Sequence, residues 1–497
     1  MSELTAALGE TAPLLAPPLE RTRSKDDVLI VNFAENDQDD PLQWPKAYKR
    51  VVVALLTFMA FVVTFTCIGV VPVAGRIVQS LNPDHRPDKS ASVLLVTIWE
   101  LGEAAGPLLI APLSEIYGRY RVVNIANIGF ILATVLAALS QSTHLFIFAR
   151  ALTGFAVMSN VLNPAIVGDI FISEERGSAM SLIMLAPLTG GAIGPAIAGA
   201  LAEGIGWRAI IWGSVILASV CELLFLTCFR ETYKVVILRD RAVSLREETG
   251  NIKYRTAFEI NDADASPSRK FWTSITRPFI VFFGSFVLQA ISIFGAETFT
   301  FFYIMSTSLP DILQDVYNLS PAQTGLFFIL FSIGSIMSNT VCNIALDRIY
   351  IYLKTHSKDG QGQPEFRLPL VIIGSVALPL IVIAYGWIAE LHAPLWVLGL
   401  CLGVMGAMLL LAFLPVLAYV VDATGVYSAS AMTAVIVTRC LFGTFLPLST
   451  GPLVKRHGYG WAFTIICFVA LGLAPIPMVL FRYGSKWRQG SAYTRGG

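Results

Sequence analysis

Apolar runs of about twenty residues, the length an α-helix needs to cross a bilayer, recur along this chain from Val51 to Phe481 and are parted by short polar stretches. On that ruler the pattern predicts roughly a dozen membrane helices. They lie near residues 51–74, 90–113, 122–139, 145–170, 179–202, 209–229, 279–304, 322–345, 368–389, 395–420, 428–448 and 461–481. The longest polar interval, Arg230 to Arg277, separates six of them from the other six. The fold class that follows is an all-α membrane protein of two pseudo-symmetric six-helix bundles. Residues 1–50 are expected to be a disordered cytosolic tail, 51–229 the first bundle, 230–277 a cytosolic central loop, 278–481 the second bundle and 482–497 a second cytosolic tail.

Composition agrees, since 55% of residues are hydrophobic and 14% charged, a balance that excludes a water-soluble domain of this length. The basic residues set an orientation. Roughly 27 of the Lys and Arg fall in segments on the side of the N-terminus, whereas Arg76, Arg86, Lys89, Arg208, Lys455 and Arg456 fall on the other, which predicts cytosolic termini. All seven cysteines sit in predicted spans and read as small packing residues rather than a disulfide framework. The first fifty residues lack an apolar core with a small-residue cleavage site, so the first span is expected to act as the insertion signal. A net charge of +1 gives no reason to expect a nucleic-acid partner.

The fifth span carries Ala186, Pro187, Gly190, Gly191, Gly194, Pro195, Ala198 and Gly199, which leave one face without side-chain bulk. Such a face lets another helix backbone approach closely, either as a sliding and hinging surface or as a static interface.

A weak repeat links the halves. Pro112 to Arg119 follows the second span and Ile344 to Tyr350 the eighth, with Glu115 and Asp347 in corresponding positions. Ala111, Glu115, Gly118 and Arg119 match the loop motif of the major facilitator superfamily, with Ala111 in place of glycine and Ile116 in place of arginine. Arg150 and Gly154 match its fourth-span motif; Gly190, Gly194, Pro195 and Gly199 match the fifth-span motif of its antiporters. With Asp40, Pro41, Trp44, Pro45, Arg230 to Tyr233, Pro364 to Pro369, Tyr419 and Asp422, the chain resembles the twelve-span drug:proton antiporters of fungal type from Asp40 to Arg488. The resemblance implies the major facilitator fold, alternating access to a central site, a proton-coupling role near Arg150, and a latch at Glu115, Gly118 and Arg119 that holds the outward-facing state.

Ionisable groups inside a membrane are costly and mark either a pathway or an internal pair. Glu100 and Glu103 are three residues apart, hence on one helix face about a turn apart. Two carboxylates so close in low dielectric cannot both ionise easily, which suits a proton carrier. The other reading is that one of them neutralises Arg150 and locks spans two and four together. Arg150 itself is a coupling candidate that acts by changing partners, or a helix–helix salt bridge. Glu297 either meets a cationic substrate or proton, or is a solvated acid in the cavity mouth; Glu222 and Arg439 read as structural. Phe299, Phe302 and Tyr303 are candidates for an aromatic cavity wall, against the alternative of ordinary packing. At the loop after span two, an acid facing the N-terminal end of a neighbouring helix would be favoured by that helix's dipole.

The chain lacks the Gly-x-x-x-x-Gly-Lys-Ser/Thr loop of an ATP-driven pump and any Ser-His-Asp or metal-ligand constellation in a soluble domain, so neither an enzyme nor a bound cofactor or metal is expected. The reading is a monomeric secondary transporter driven by the proton gradient, embedded in the lipid bilayer and exporting a small hydrophobic organic molecule such as a fungal secondary metabolite, toxin or drug. An importer or uniporter of a polar metabolite and a non-transporting membrane sensor are the alternatives. Asn318, Leu319 and Ser320 form a glycosylation acceptor on the outer side, disfavoured by Pro321. Glu10, Leu14 and Leu15 spell an acidic dileucine pattern of the kind a sorting adaptor reads. The plasma membrane is the expected address, with a vacuolar or endosomal membrane as the alternative.

Overall fold

A computed structural model describes residues 29–34, 37–82, 88–261, 267–357 and 362–495. The helices are α1 (Lys46–Gly69), α2 (Ala74–Leu81), α3 (Lys89–Tyr117), α4 (Arg119–Ala138), α5 (Thr143–Phe155), α6 (Ser159–Ile170), α7 (Ser173–Gly204), α8 (Trp207–Cys228), α9 (Lys234–Thr249), α10 (Ala257–Asn261), α11 (Pro267–Phe283), α12 (Phe286–Asp311), α13 (Pro321–His356), α14 (Pro369–Glu390), α15 (Leu395–Thr424), α16 (Ser428–Phe445), α17 (Thr450–Leu473) and α18 (Pro475–Gln489). The protein is a multi-pass membrane protein. Nine continuous helical stretches among the described residues are long and apolar enough to cross a bilayer. The last, Leu395–Gln489, joins α15 to α18 end to end. The fourth span is broken into α5 and α6, of which Val161–Ile170 is a shorter apolar piece. Counted this way, each of the twelve apolar runs maps onto a helix or a broken pair of helices.

Local chemistry fixes the ends. Asp88, Ser142 and Ser285 cap α3, α5 and α12 by accepting hydrogen bonds from Ala91, Leu145 and Leu288 amides. Ser320 and Gln323 form a reciprocal capping box at the start of α13. Gly118, at φ 96°, makes the turn from α3 into α4 that a side chain would strain.

Residues 29–50, expected to be disordered, are ordered where described. Leu29–Val31 (β1) pairs in parallel with Tyr254–Thr256 (β2), and Val31 packs with Leu238 and Ala242 of α9. Arg241 Nη1 also reaches Asp37 Oδ2 at 2.5 Å. Burial raises the Asp37 pKa and the Arg241 contact lowers it, and the net direction is downward. The central loop is likewise helical over α9 and α10, so the tail and the loop together build a small cap on the first bundle.

Helices α1 to α8 pack among themselves, as do α12 to α18; the two bundles meet chiefly along α3 against α16 and α7 against α13. Polar ties between the bundles gather at the face opposite the chain termini. Lys89 lies 3.1 Å from both Asp311 and Asp315, Gln314 Nε2 donates to the Pro72 carbonyl at 2.9 Å, and the Ala322 amide donates to Glu203 at 3.0 Å.

Candidate functional site

A cavity of about 210 Å³ lies between the bundles, bordered by α1, α3, α6, α7, α12, α13, α15 and α16. Its wall is mainly apolar, with Val63, Ile68, Leu188, Phe299, Phe302, Phe328, Phe331 and Leu409. The charged groups in it are Glu100 and Glu103 from α3 and Arg439 from α16. Arg439 Nη2 lies 2.8 Å from Glu103 Oε1 and 3.8 Å from Glu100 Oε1. The Tyr303 hydroxyl donates to Glu100 Oε1 at 2.6 Å, and the Arg439 guanidinium sits over the Phe299 ring at 4.6 Å. Glu100 and Glu103 side chains are 1% and 0% exposed, so these contacts act with little screening by water. Both carboxylates thus share one guanidinium across the bundle boundary.

Two expectations change here. Among the described residues Arg150 makes no ion pair with either glutamate. It is fully buried and donates to three carbonyls instead, Thr66 and Cys67 of α1 at 3.2 and 2.8 Å and Leu95 of α3 at 3.4 Å. Thr66 and Cys67 lie in the last turn of α1, whose carbonyls have no partner within the helix, and carboxylate counting along the sequence overlooks such acceptors. Arg439, read as structural, is the cation that meets the acids. Reaching it requires the two bundles to be apposed, which local spacing does not encode.

Phe299, Phe302 and Tyr303 line the cavity, whereas Glu297 does not. Glu297 lies roughly 200° around the helix from Phe299 at 100° per residue and is buried on another side of α12. That angular offset was legible in the spacing. Trp99, also in the wall, was not singled out because one tryptophan in a span carries no periodic signal. Glu222 accepts from Asn127 Nδ2 at 2.7 Å, within the first bundle.

The small residues of α7 serve two partners. A methyl group on Gly190 or Gly194 would stand 3.1 to 3.3 Å from α1 backbone at Phe61 or Phe65. On Gly199 it would fall 2.2 Å from the Pro321 carbonyl, and on Gly325 it would fall 2.2 Å from the carbonyl of Pro195. The α7–α13 crossing is therefore backbone on backbone. Gly102, Gly106 and Gly154 bring α3 and α5 together in the same way.

At the face of the termini, Glu115 is exposed and makes no ion pair among the described residues. The acid that faces a helix N-terminus is Glu231, which accepts from the Arg119 and Tyr120 amides at 2.9 and 3.1 Å at the start of α4. Arg119 contacts Ser114, Asp169 at 3.2 Å and the Tyr233 ring at 4.7 Å. Of the three residues expected to form a latch, Gly118 and Arg119 stand beside Glu231 and Asp169, and Glu115 stands apart from them. Asn318 is exposed at φ 54° while Ser320 caps α13. Glu10, Leu14 and Leu15 lie outside the described residues.

A family model described as Major Facilitator Superfamily matches residues 53–447. The "MFS transporter cpaT" of Aspergillus oryzae is 32% identical over 481 residues, covering 96% of this chain and 95% of that protein. The "Efflux pump radE" of Floropilus chiversii is 31% identical, covering 95% of this chain and 87% of its own. Among solved structures, a D-xylose-proton symporter superposes with a TM-score of 0.65 over 91% of this chain and all of the other at 16% identity, a likeness of fold alone.

Proposed function

Because the chain belongs to the major facilitator superfamily and is a transporter, not an enzyme, we propose that it is a proton-coupled antiporter that expels a small hydrophobic organic molecule by alternating access. One observation carries this reading. Two buried carboxylates on α3 and one guanidinium on α16 meet across the bundle boundary, in the wall of an aromatic cavity. With both acids ionised the cluster has one negative charge in excess, so one proton neutralises it. A cluster that is neutral only when protonated ties the fit of the two bundles to the proton, which is the link that coupling requires. The rings of Phe299, Phe302 and Phe331 suit a bulky apolar substrate. The relatives named as efflux pumps support export over uptake. The chain acts as a monomer in the plasma membrane on this reading, with no cofactor beyond the proton gradient.

The test replaces Glu100 and Glu103 by Gln, singly and together, in reconstituted protein. Proton-driven transport should be lost while substrate counterflow survives. Unchanged proton-driven transport in the double variant would remove these acids from coupling, and acid-stimulated uptake in cells would favour the importer.

A further inference from the structure

The end of the described chain is folded back onto the terminus-bearing face of the second bundle. Ser491 and Thr494 are buried, at 8% and 1% exposure. The Ser491 hydroxyl donates to the Gly284 carbonyl at 2.8 Å. Gly284 and Ser285 are the break at which α11 stops and α12 begins. The ring of Tyr493 lies where a side chain on Gly284 would be, 2.4 Å from that virtual methyl, and packs edge-on against Tyr427 at 5.2 Å. Arg277 of α11 covers the same Tyr427 ring at 5.1 Å. The segment is anchored behind by Arg488, which pairs with Glu365 at 2.8 Å, a contact almost wholly removed from water. The Thr494 hydroxyl returns to the Arg488 carbonyl at 2.8 Å. Thus one short stretch touches the α11–α12 break, the α15–α16 turn and the α13–α14 connection.

We infer that Ser491–Thr494 is a strap that fixes the angle between α11 and α12 at Gly284, and that its release lets α11 move independently of the second bundle. The position of α11 gives this consequence. It packs on α3 of the first bundle and on α16 and α12 of the second, so it bridges the two at the terminus-bearing face. Glycine at the break permits a wide range of backbone angles; the tyrosine ring and the serine hydroxyl select one of them. The consequence for transport rests on the alternating-access reading above, but the strap itself does not.

Hydrogen exchange on the purified full-length chain separates the two. The Gly284, Ser285 and Leu288 amides donate to Ile280 and Phe282 carbonyls and to Ser285 Oγ. In the double variant Ser491→Ala, Tyr493→Ala these amides should exchange roughly tenfold faster, with the rest of α12 unchanged. Tyr493→Phe keeps the ring and should stay close to the parent. Termination after Gly490 should reproduce the double variant. Unchanged exchange over 284–288, or equal acceleration throughout the second bundle, would overturn the strap. Because the readout involves no transported molecule, a failure of the antiporter reading would leave it intact.

Discussion

Glu100 and Glu103 lie one helical turn apart, both almost fully buried, and Arg439 carries the charge that they share. Removing one partner of a buried pair costs more than the pair contributes, because the other charge stays desolvated. Arg439→Ala should therefore lower stability by about 3–5 kcal/mol, read as a lower unfolding temperature in detergent. Adding Glu103→Gln to Arg439→Ala should recover part of that loss, whereas independent effects would simply add. Additive unfolding temperatures would show that the 2.8 Å contact does not couple the two residues. At this scale the acids were legible from their spacing and their partner was not. Three residues along a helix define a shared face, but nothing local links position 103 to position 439. Arg150 misled for a related reason: its acceptors are backbone carbonyls, which every residue has.

The helix α7 makes a graded prediction, because its glycines differ in the space they face. Gly199 has no room for a methyl group against the Pro321 carbonyl, while Gly194 lacks only a few tenths of an ångström against Phe65. Gly199→Ala should force α7 and α13 apart and depress transport at normal expression. Gly194→Ala should be milder, and Gly194→Leu severe. Equal transport by Gly199→Ala and the parent, at equal amounts in the membrane, would mean that this crossing is not held closed. The run of small residues made α7 recognisable in the sequence as a close-packing helix. Which glycine meets which neighbour was beyond reach, since Gly190 and Gly194 turn to α1 within their own bundle and Gly199 to α13 in the other. The ordered cap was missed for the opposite reason. Its strands are three residues each and pair across more than two hundred positions, too short for a periodic signal and too distant for a local one.

Two bundles that alternate must exchange one set of contacts for another, and the exposed ion pairs between them are made at the face away from the termini. Lys89 at the start of α3 reaches two aspartates at the end of the seventh span, 3.1 Å from each. These groups are partly exposed, so screening keeps the contribution of each pair small, of order 1 kcal/mol or less. A small contribution still matters for an equilibrium between two states of similar free energy, where about 1.4 kcal/mol shifts the ratio tenfold. Lys89→Ala should raise the fraction of molecules open at this face several-fold. The change is readable as labelling of a cysteine placed at Thr307, which lies beside the Lys89 cleft. Raising salt should move the parent toward the variant, because exposed pairs weaken with screening. Reversing the charges, with Lys89→Asp joined to Asp311→Lys and Asp315→Lys, should restore the parent's labelling. If Lys89→Ala leaves labelling unchanged at low salt, these pairs follow closure rather than holding it, and the Gly199–Pro321 and Gly325–Pro195 contacts between α7 and α13 must supply the closing free energy.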